Sequence, residues 1–355
     1  MSPINAERPA RTLHCILALL LLGVLTACTA DIDTDPASRT PATGLGPQQL
    51  AVIVNDDDPL SRQIAAYYVN RRQIPAGNVI HVRFTPGDSV MRPEVFRQLK
   101  ATVDRHTPAA VQAYALAWTS PYRVGCMSIT SAFAAGFDED FCALGCKPTR
   151  ASPYFDSHSL QPFDDHGWRP AIMLAGSSFE AVRTLIERGI AADGSRPEGS
   201  AYLLSTKDRN RNTRARFYHG IHLLQSDRFN IQIITGNTLQ QRRDVMFYFT
   251  GLAQVTGIDS NTYLPGAIAD HLTSAGGKLT DSGQMSSLRW LEAGATGSYG
   301  TVVEPCAFVQ KFPRPHIVID RYLNGETLLE AYWKSVEWPG QGVFIGEPLA
   351  APFRN

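Results

Sequence analysis

The order in which short apolar runs and amphipathic stretches alternate constrains this chain more than any other feature. Leu50-Ala-Val-Ile-Val54 is a bounded apolar run of the kind that forms a buried strand. Pro59 follows five residues beyond it, placed for a first helical turn. Leu60, Ile64, Tyr67 and Tyr68 then share one face up to Arg72. Ile74-Pro75 breaks that helix, residues 78–84 read as a strand, 93–106 as a helix and 111–118 as a strand. Strand, helix, strand, helix, strand in this rhythm implies a parallel sheet with helices on both faces. Residues 171–175 resume the sheet, and a helix over 179–190 is stopped by Gly189. Strands follow at 201–205, 229–235 and 245–249, then a helix at 325–336 and a last strand at 343–345. The expected fold is α/β, a mainly parallel sheet of six or more strands in a doubly wound layout.

Residues 119–168 interrupt the rhythm with Pro, Gly, Ser and Asp, and they contain Cys126, Cys142 and Cys146. A loop-rich insert of this length is usually functional or covalently stapled. Together with Cys306 these make four thiols in the region from residue 50 onward. In an exported protein such thiols pair, and four allow three connectivities. A local Cys142–Cys146 bond would leave Cys126 to reach Cys306. Free or reactive thiols and a zinc site are the alternatives; for zinc the Cys-x₃-Cys spacing is unusual and no matching His pair accompanies it.

The export expectation comes from the first 28 residues. Arg8 and Arg11 precede an apolar run from Ile16 to Leu25, too short to span a bilayer as a helix. Leu25-Thr-Ala-Cys28 has the form of a lipobox, with Cys28 the acylated new N-terminus; an ordinary secretory signal with an incidental cysteine is the alternative. Thr29 in place of Asp favours the outer membrane in a Gram-negative cell. Pro36, Pro41 and Pro47 stand among Thr, Ser, Ala and Gly, so residues 28–49 read as a flexible tether before a single domain over 50–355. With 33 basic and 33 acidic residues the chain has no surplus of cations to displace counterions, which argues against nucleic acid as a partner. No P-loop or G-x-G-x-x-G follows any strand, and no cofactor is expected.

Candidate site residues gather between Asp244 and Cys306. Asp244-Val-Met-Phe-Tyr-Phe-Thr-Gly251 reads as a strand ending at Thr250 and Gly251. Asp270, His271, Thr273 and Ser274 stand just before Gly276-Gly277, and Gln284 to Glu292 has helical spacing. Glu304-Pro-Cys306 closes the stretch. Polar groups and glycines at strand ends are where open α/β sheets place their ligand crevice. Asp270, His271 and Ser274 hold the ingredients of a Ser/His/Asp arrangement, yet neighbours in one segment rarely meet its geometry, and no G-x-S-x-G elbow is present. Metal ligation by Asp270, His271 and Glu304 has no diagnostic spacing, and no metal is expected. Two charged runs flank this region. Lys207 to Arg216, with Arg209, Arg211 and Arg214, would clamp an anion or form a solvated face. Asn55 to Asp58 would cap a helix or hold a cation.

Phe249-Thr-Gly251, Ala269-Asp-His-Leu-Thr-Ser-Ala-Gly-Gly277, Ala293-Gly-Ala-Thr-Gly-Ser-Tyr-Gly-Thr301 and Gly346-Glu-Pro-Leu349 resemble an uncharacterised bacterial family of exported proteins. Cys126-Met-Ser-Ile-Thr-Ser-Ala-Phe133 and Arg188-Gly189 fit it too. The resemblance runs from about residue 50 to 353 and brings no reaction with it. More distantly, the C-terminal half is similar in layout to gingipain-like cysteine peptidases of the caspase fold. Those carry a His-Gly and a Cys at neighbouring strand ends. Here Thr250-Gly251 stands for the first, and Asp270 and His271 stand where the thiol belongs, so the dyad carries over to no residue. Three functions are therefore expected to compete. One is an envelope lipoprotein that binds a peptide, glycan or protein partner in a peptidase-like crevice through Thr250, Gly251, Thr273, Gly276, Gly277, Glu304 and the arginines. The second is a hydrolase around Asp270, His271, Ser274 and Cys306, and the third is a purely structural surface protein.

Overall fold

The computed structural model describes residues 44–143 and 145–355. The leader, Cys28 and most of the expected tether lie outside the described residues. In chain order the elements begin with β1 (Leu50–Asn55), α1 (Pro59–Arg72), β2 (Val79–Val82), β3 (Val90–Met91), α2 (Pro93–His106) and β4 (Ala113–Leu116). Next come β5 (Arg123–Val124), β6 (Met127–Ser128), α3 (Ile129–Ala135), α4 (Pro162–His166), β7 (Ala171–Met173) and α5 (Phe179–Ala192). β8 (Ser200–Ser205), α6 (Tyr218–Gln225), β9 (Asn230–Thr235), β10 (Val245–Thr250) and β11 (Tyr263–His271) follow. The chain closes with α7 (Leu288–Ala293), β12 (Gly297–Thr301), α8 (Pro315–Leu323), α9 (Leu328–Ser335) and β13 (Gly342–Gly346).

Ten strands form one sheet in the order β2-β1-β4-β7-β13-β12-β11-β10-β8-β9. Every neighbouring pair is parallel except β12 and β13, which run antiparallel from Gly297↔Gly346 to Thr301↔Gly342. The fold is thus the expected mainly parallel α/β sheet with helices on both faces. It consists of two parallel halves that meet head to tail, so their carboxyl edges lie on opposite sides of the sheet.

Strand alternation divides the core into two faces. Leu50, Val52 and Val54 point toward α1, α5, α8 and α9, while Ala51 and Ile53 point toward α2 and α3. A separate cluster around Tyr248 and Trp290 lies under α7. Each fully buried Val, Leu or Ile contributes roughly 1.5–3 kcal/mol, and the strands are apolar because both their faces are covered.

The chain is already packed at Leu45, before the expected start at Leu50. Leu45 is fully buried, its N–H donates to Glu330 Oε1 at 3.2 Å, and Arg354 donates to its carbonyl at 2.9 Å. The insert is more regular than its composition suggests. Within it α3 packs under the sheet, and β5 and β6 join β3 in a small second sheet. Of the Asn55–Asp58 run, Asp58 caps α1 by accepting the N–H of Leu60, and Asp56 pairs with His81. The run serves the first of its two expected roles, as a helix cap.

Candidate functional site

The segment 263–271, to which the sequence assigns no element, is a nine-residue central strand, β11. Adjacent residues on a strand point to opposite faces, so Asp270 and His271 cannot share a site. Asp270 faces the layer of α6, α8 and α9, fully buried, with Arg214 Nη1 2.6 Å from its Oδ1. The approach is off the line of a well-directed hydrogen bond, and Arg214 spends its better bonds on the carbonyls of Thr250 (2.7 Å) and Pro313 (3.3 Å). Burial pushes the Asp270 carboxyl up to about 6, against the opposing pull of Arg214.

His271 faces the other way, under α7. Its Nδ1 accepts from Trp290 Nε1–H at 2.9 Å, and its Nε2–H donates to the carbonyl of Met285 at 3.0 Å. Both ring nitrogens are committed, and burial lowers the imidazole to about 3, so it stays neutral. An imidazole in this state has no nitrogen left to serve as a general base. Asp270 and His271 therefore serve the core on opposite faces of β11 and do not come together with Ser274 as one catalytic group.

Ser274 does reach a cleft. About 390 Å³ opens beyond the carboxyl end of β11, lined by Asn210, Arg211, Thr273, Ser274, Glu304 and the Cys146–Cys306 disulfide. Arg211 Nε–H donates to Thr273 Oγ1 at 3.1 Å, and Arg211 Nη1 pairs with Asp208 at 2.9 Å. Thr273 in turn donates to Gln284 Oε1 at 2.7 Å, and Thr301 donates to the carbonyls of Thr273 and Ser274. The floor is thus fixed by hydrogen bonds, while the Ser274 hydroxyl has no such partner among the described residues. Among the described residues no imidazole hydrogen-bonds to it to activate it.

The other expected binding residues divide differently. Thr250 is buried and does not line the cleft; its carbonyl holds Arg214. Gly251, Gly276 and Gly277 are packing positions: a Cβ on Gly251 would run into the Arg211 carbonyl, and one on Gly277 into that of Gly300. Gly276 and Gly277 lie directly against the backbone of β12. Arg214 is buried beside Asp270 with its hydrogen bonds on the Thr250 and Pro313 carbonyls, and Arg209 is exposed outside the lining, so of the three arginines only Arg211 serves the cleft. Asp208, Gln284 and Thr301 brace the site, and no sequence spacing marks them. Among the described residues no group of three or more His, Cys, Asp or Glu could hold a metal.

The four thiols form the two expected disulfides, and of the three connectivities open to them the structure takes one without a local Cys142–Cys146 bond. Cys126 pairs with Cys142, and Cys146 with Cys306, at Cα separations of 5.4 and 5.2 Å. Cys126 and Cys142 lie together against the α2–α3 side of the core, whereas Gly145 in the left-handed region turns Cys146 outward to the rim. Cys306 is therefore not a free thiol nucleophile.

A larger hollow of about 630 Å³ lies at the opposite edge, among Glu198, Arg228 and Asp244. It sits at the amino ends of β8, β9 and β10, and Asp244 there is already held by Ser200 and Tyr202. Parallel sheets place ligands at carboxyl ends, which favours the smaller cleft.

Fold and cleft together define a doubly wound α/β protein with a polar hollow at its strand ends. No protein-family model matches the chain, and no curated protein matches it in sequence. Two solved structures are similar to it in fold. One, described as "Structure of Protease", has a TM-score of 0.50 at 10% identity, covering 88% of this chain and 80% of its own. The other is the complex of Porphyromonas gingivalis RgpB pro- and mature domains, with a TM-score of 0.49 at 8% identity, covering 85% of this chain and 79% of its own. The first shows a shared fold and no more.

Proposed function

We propose that the protein is a lipid-anchored envelope protein that uses a peptidase-like cleft to bind a peptide, glycan or protein partner without cleaving it. The observation that carries this reading is the state of His271, both of whose nitrogens are bonded inside the core. The cleft keeps what recognition needs: Arg211, whose Nη2 makes no hydrogen bond among the described residues while Nε and Nη1 hold Thr273 and Asp208, for a carboxylate, Glu304 for a cation, and Asn210 and Ser274 for neutral polar groups. Anchoring through Cys28 and a place at the outer membrane rest on the lipobox. The exported-protein motifs support the same compartment, and the two disulfides are consistent with it.

The test is a screen of the detergent-solubilised full chain against peptide and glycan arrays. Arg211→Ala is expected to weaken a retained ligand about tenfold or more, the loss of a charge-assisted bond, with circular dichroism unchanged. A serine-directed fluorophosphonate is expected to leave the protein unlabelled. Labelling and peptide or ester hydrolysis that both vanish in Ser274→Ala would establish a hydrolase and overturn the binding reading.

A further inference from the structure

Three large apolar side chains stand exposed among the described residues, and they stand together: Phe217 at 46%, Leu223 at 79% and Leu224 at 80%. α6 explains the arrangement. It buries Tyr218, Ile221 and Gln225 on the side facing β9 and α8, which turns Leu223 and Leu224 outward. Gly220 lies on the outward side with them, and a Cβ there would meet open space. Single exposed apolar residues are ordinary, but a group confined to one short helix and the residue before it marks a contact surface.

Its surroundings say what kind. Lys207, Arg209 and Arg216 are exposed and form no ion pair among the described residues, and Arg216 lies over the Phe217 ring at 4.7 Å. The other cations of the stretch are occupied: Arg211 by Asp208, Arg214 by Asp270 and Arg228 by Asp320. The chain as a whole is neutral, whereas here three exposed cations without an ion pair stand against one such carboxylate, Asp227, among the described residues. Apolar side chains flanked by cations suit the headgroup boundary of an anionic bilayer.

A relay of hydrogen bonds connects the end of α6 to Leu45, next to the first described residue. Arg354 joins the Leu45 carbonyl (2.9 Å) to that of Gly325 (3.0 Å), next to Asn324. Asn324 Oδ1 accepts from Arg228, whose own N–H closes the end of α6 on Gln225. Fully extended, the residues from Cys28 to Gly44 reach roughly 55 Å, about the width of a domain of this size.

We propose that the outward face of α6, with the cations of residues 207–216, lies on an anionic lipid bilayer and fixes how the domain sits on it. Its use in the cell rests on the anchoring reading, since acylation of Cys28 is what would bring the domain to a membrane. The experiment uses the full acylated chain in vesicles of phosphatidylethanolamine and phosphatidylglycerol. The four cysteines of the domain are disulfide-bonded, so a cysteine introduced at His219 on α6, or at exposed Arg105 on α2 as control, takes an environment-sensitive fluorophore selectively. Nitroxide-labelled lipid is expected to quench the His219 probe roughly twofold more than the Arg105 probe. Leu223→Ser with Leu224→Ser should abolish that difference while the protein still floats with the vesicles. Lys207→Glu, Arg209→Glu and Arg216→Glu together should lower it, as should replacing phosphatidylglycerol by phosphatidylcholine. Equal quenching of both probes, or no effect of the leucine substitutions, overturns the proposal. So does a spectral shift of the His219 probe that rises with protein concentration without vesicles, which would identify a second copy as the occupant. Labelled palmitate reports separately on Cys28. If it is not taken up, the anchoring reading falls while quenching on added vesicles still decides the docking.

Discussion

Gly251, Gly277 and Gly300 stand where backbone meets backbone. A Cβ on Gly300 would fall on the Gly276–Gly277 peptide, and one on Gly251 on the Arg211 carbonyl. Neither neighbour is the end of a flexible side chain, so neither can yield. Gly300→Ala is expected to cost at least about 3 kcal/mol in urea unfolding. Gly236→Ala, where a Cβ meets nothing within 4 Å, should stay within about 0.5 kcal/mol. His271 carries a pH signature. Its ionisation falls from 6.5 to about 3 on folding, so the unfolded chain binds the extra proton in that window. The stability this group contributes is full above pH 6.5 and is lost as pH falls toward 3. Asp270 shifts the opposite way, from 3.8 to about 6, so acid there favours the fold. Asp270 is present in both proteins and drops out of a comparison with His271→Gln. Between pH 6.5 and 4.5 wild type should lose stability faster than the variant, by at most about 1.4 kcal/mol per pH unit. Parallel curves would mean that His271 is accessible and able to take up a proton.

Among the elements, β11 is where sequence and structure part. Along residues 267–271 the structure puts Ala267, Ala269 and His271 on one face and Ile268 and Asp270 on the other, but Ala-Ile-Ala-Asp-His carries no polar–apolar alternation that would announce a strand. The polar pair and the Gly276-Gly277 that follows it gave no local signal for the strand. α1 and α2 were legible because Pro59 and Pro93 mark their first turns and each carries apolar residues at helical spacing. The disulfides were legible as two bonds but not as pairs, since connectivity depends on which way the 143–146 turn faces. Peptide mapping without reduction should recover Cys126 linked to Cys142 and Cys146 to Cys306; a Cys142–Cys146 peptide would contradict the fold around the cleft. Cys146→Ser with Cys306→Ser should cost about 2–4 kcal/mol, because that bond closes the longer loop.

At the scale of the whole molecule, the two parallel halves and their antiparallel seam at β12 and β13 decide where a site can be. The seam puts the carboxyl edge of β11 beside the insert, so that Cys146 and Glu304, far apart in sequence, line one cleft. The sequence by itself determined the α/β class, most strands and helices, and the stretch around which the cleft forms. Those follow from local periodicity, proline placement and glycine at strand ends, all of which act within a few residues. Only the tertiary structure decided that Asp270 and His271 are locked in opposite layers, that Arg214 serves the core and Arg211 the cleft, and which cysteines meet. The physical reason is that a charged or polar side chain takes its role from burial and from its partner, and both are set by neighbours distant along the chain.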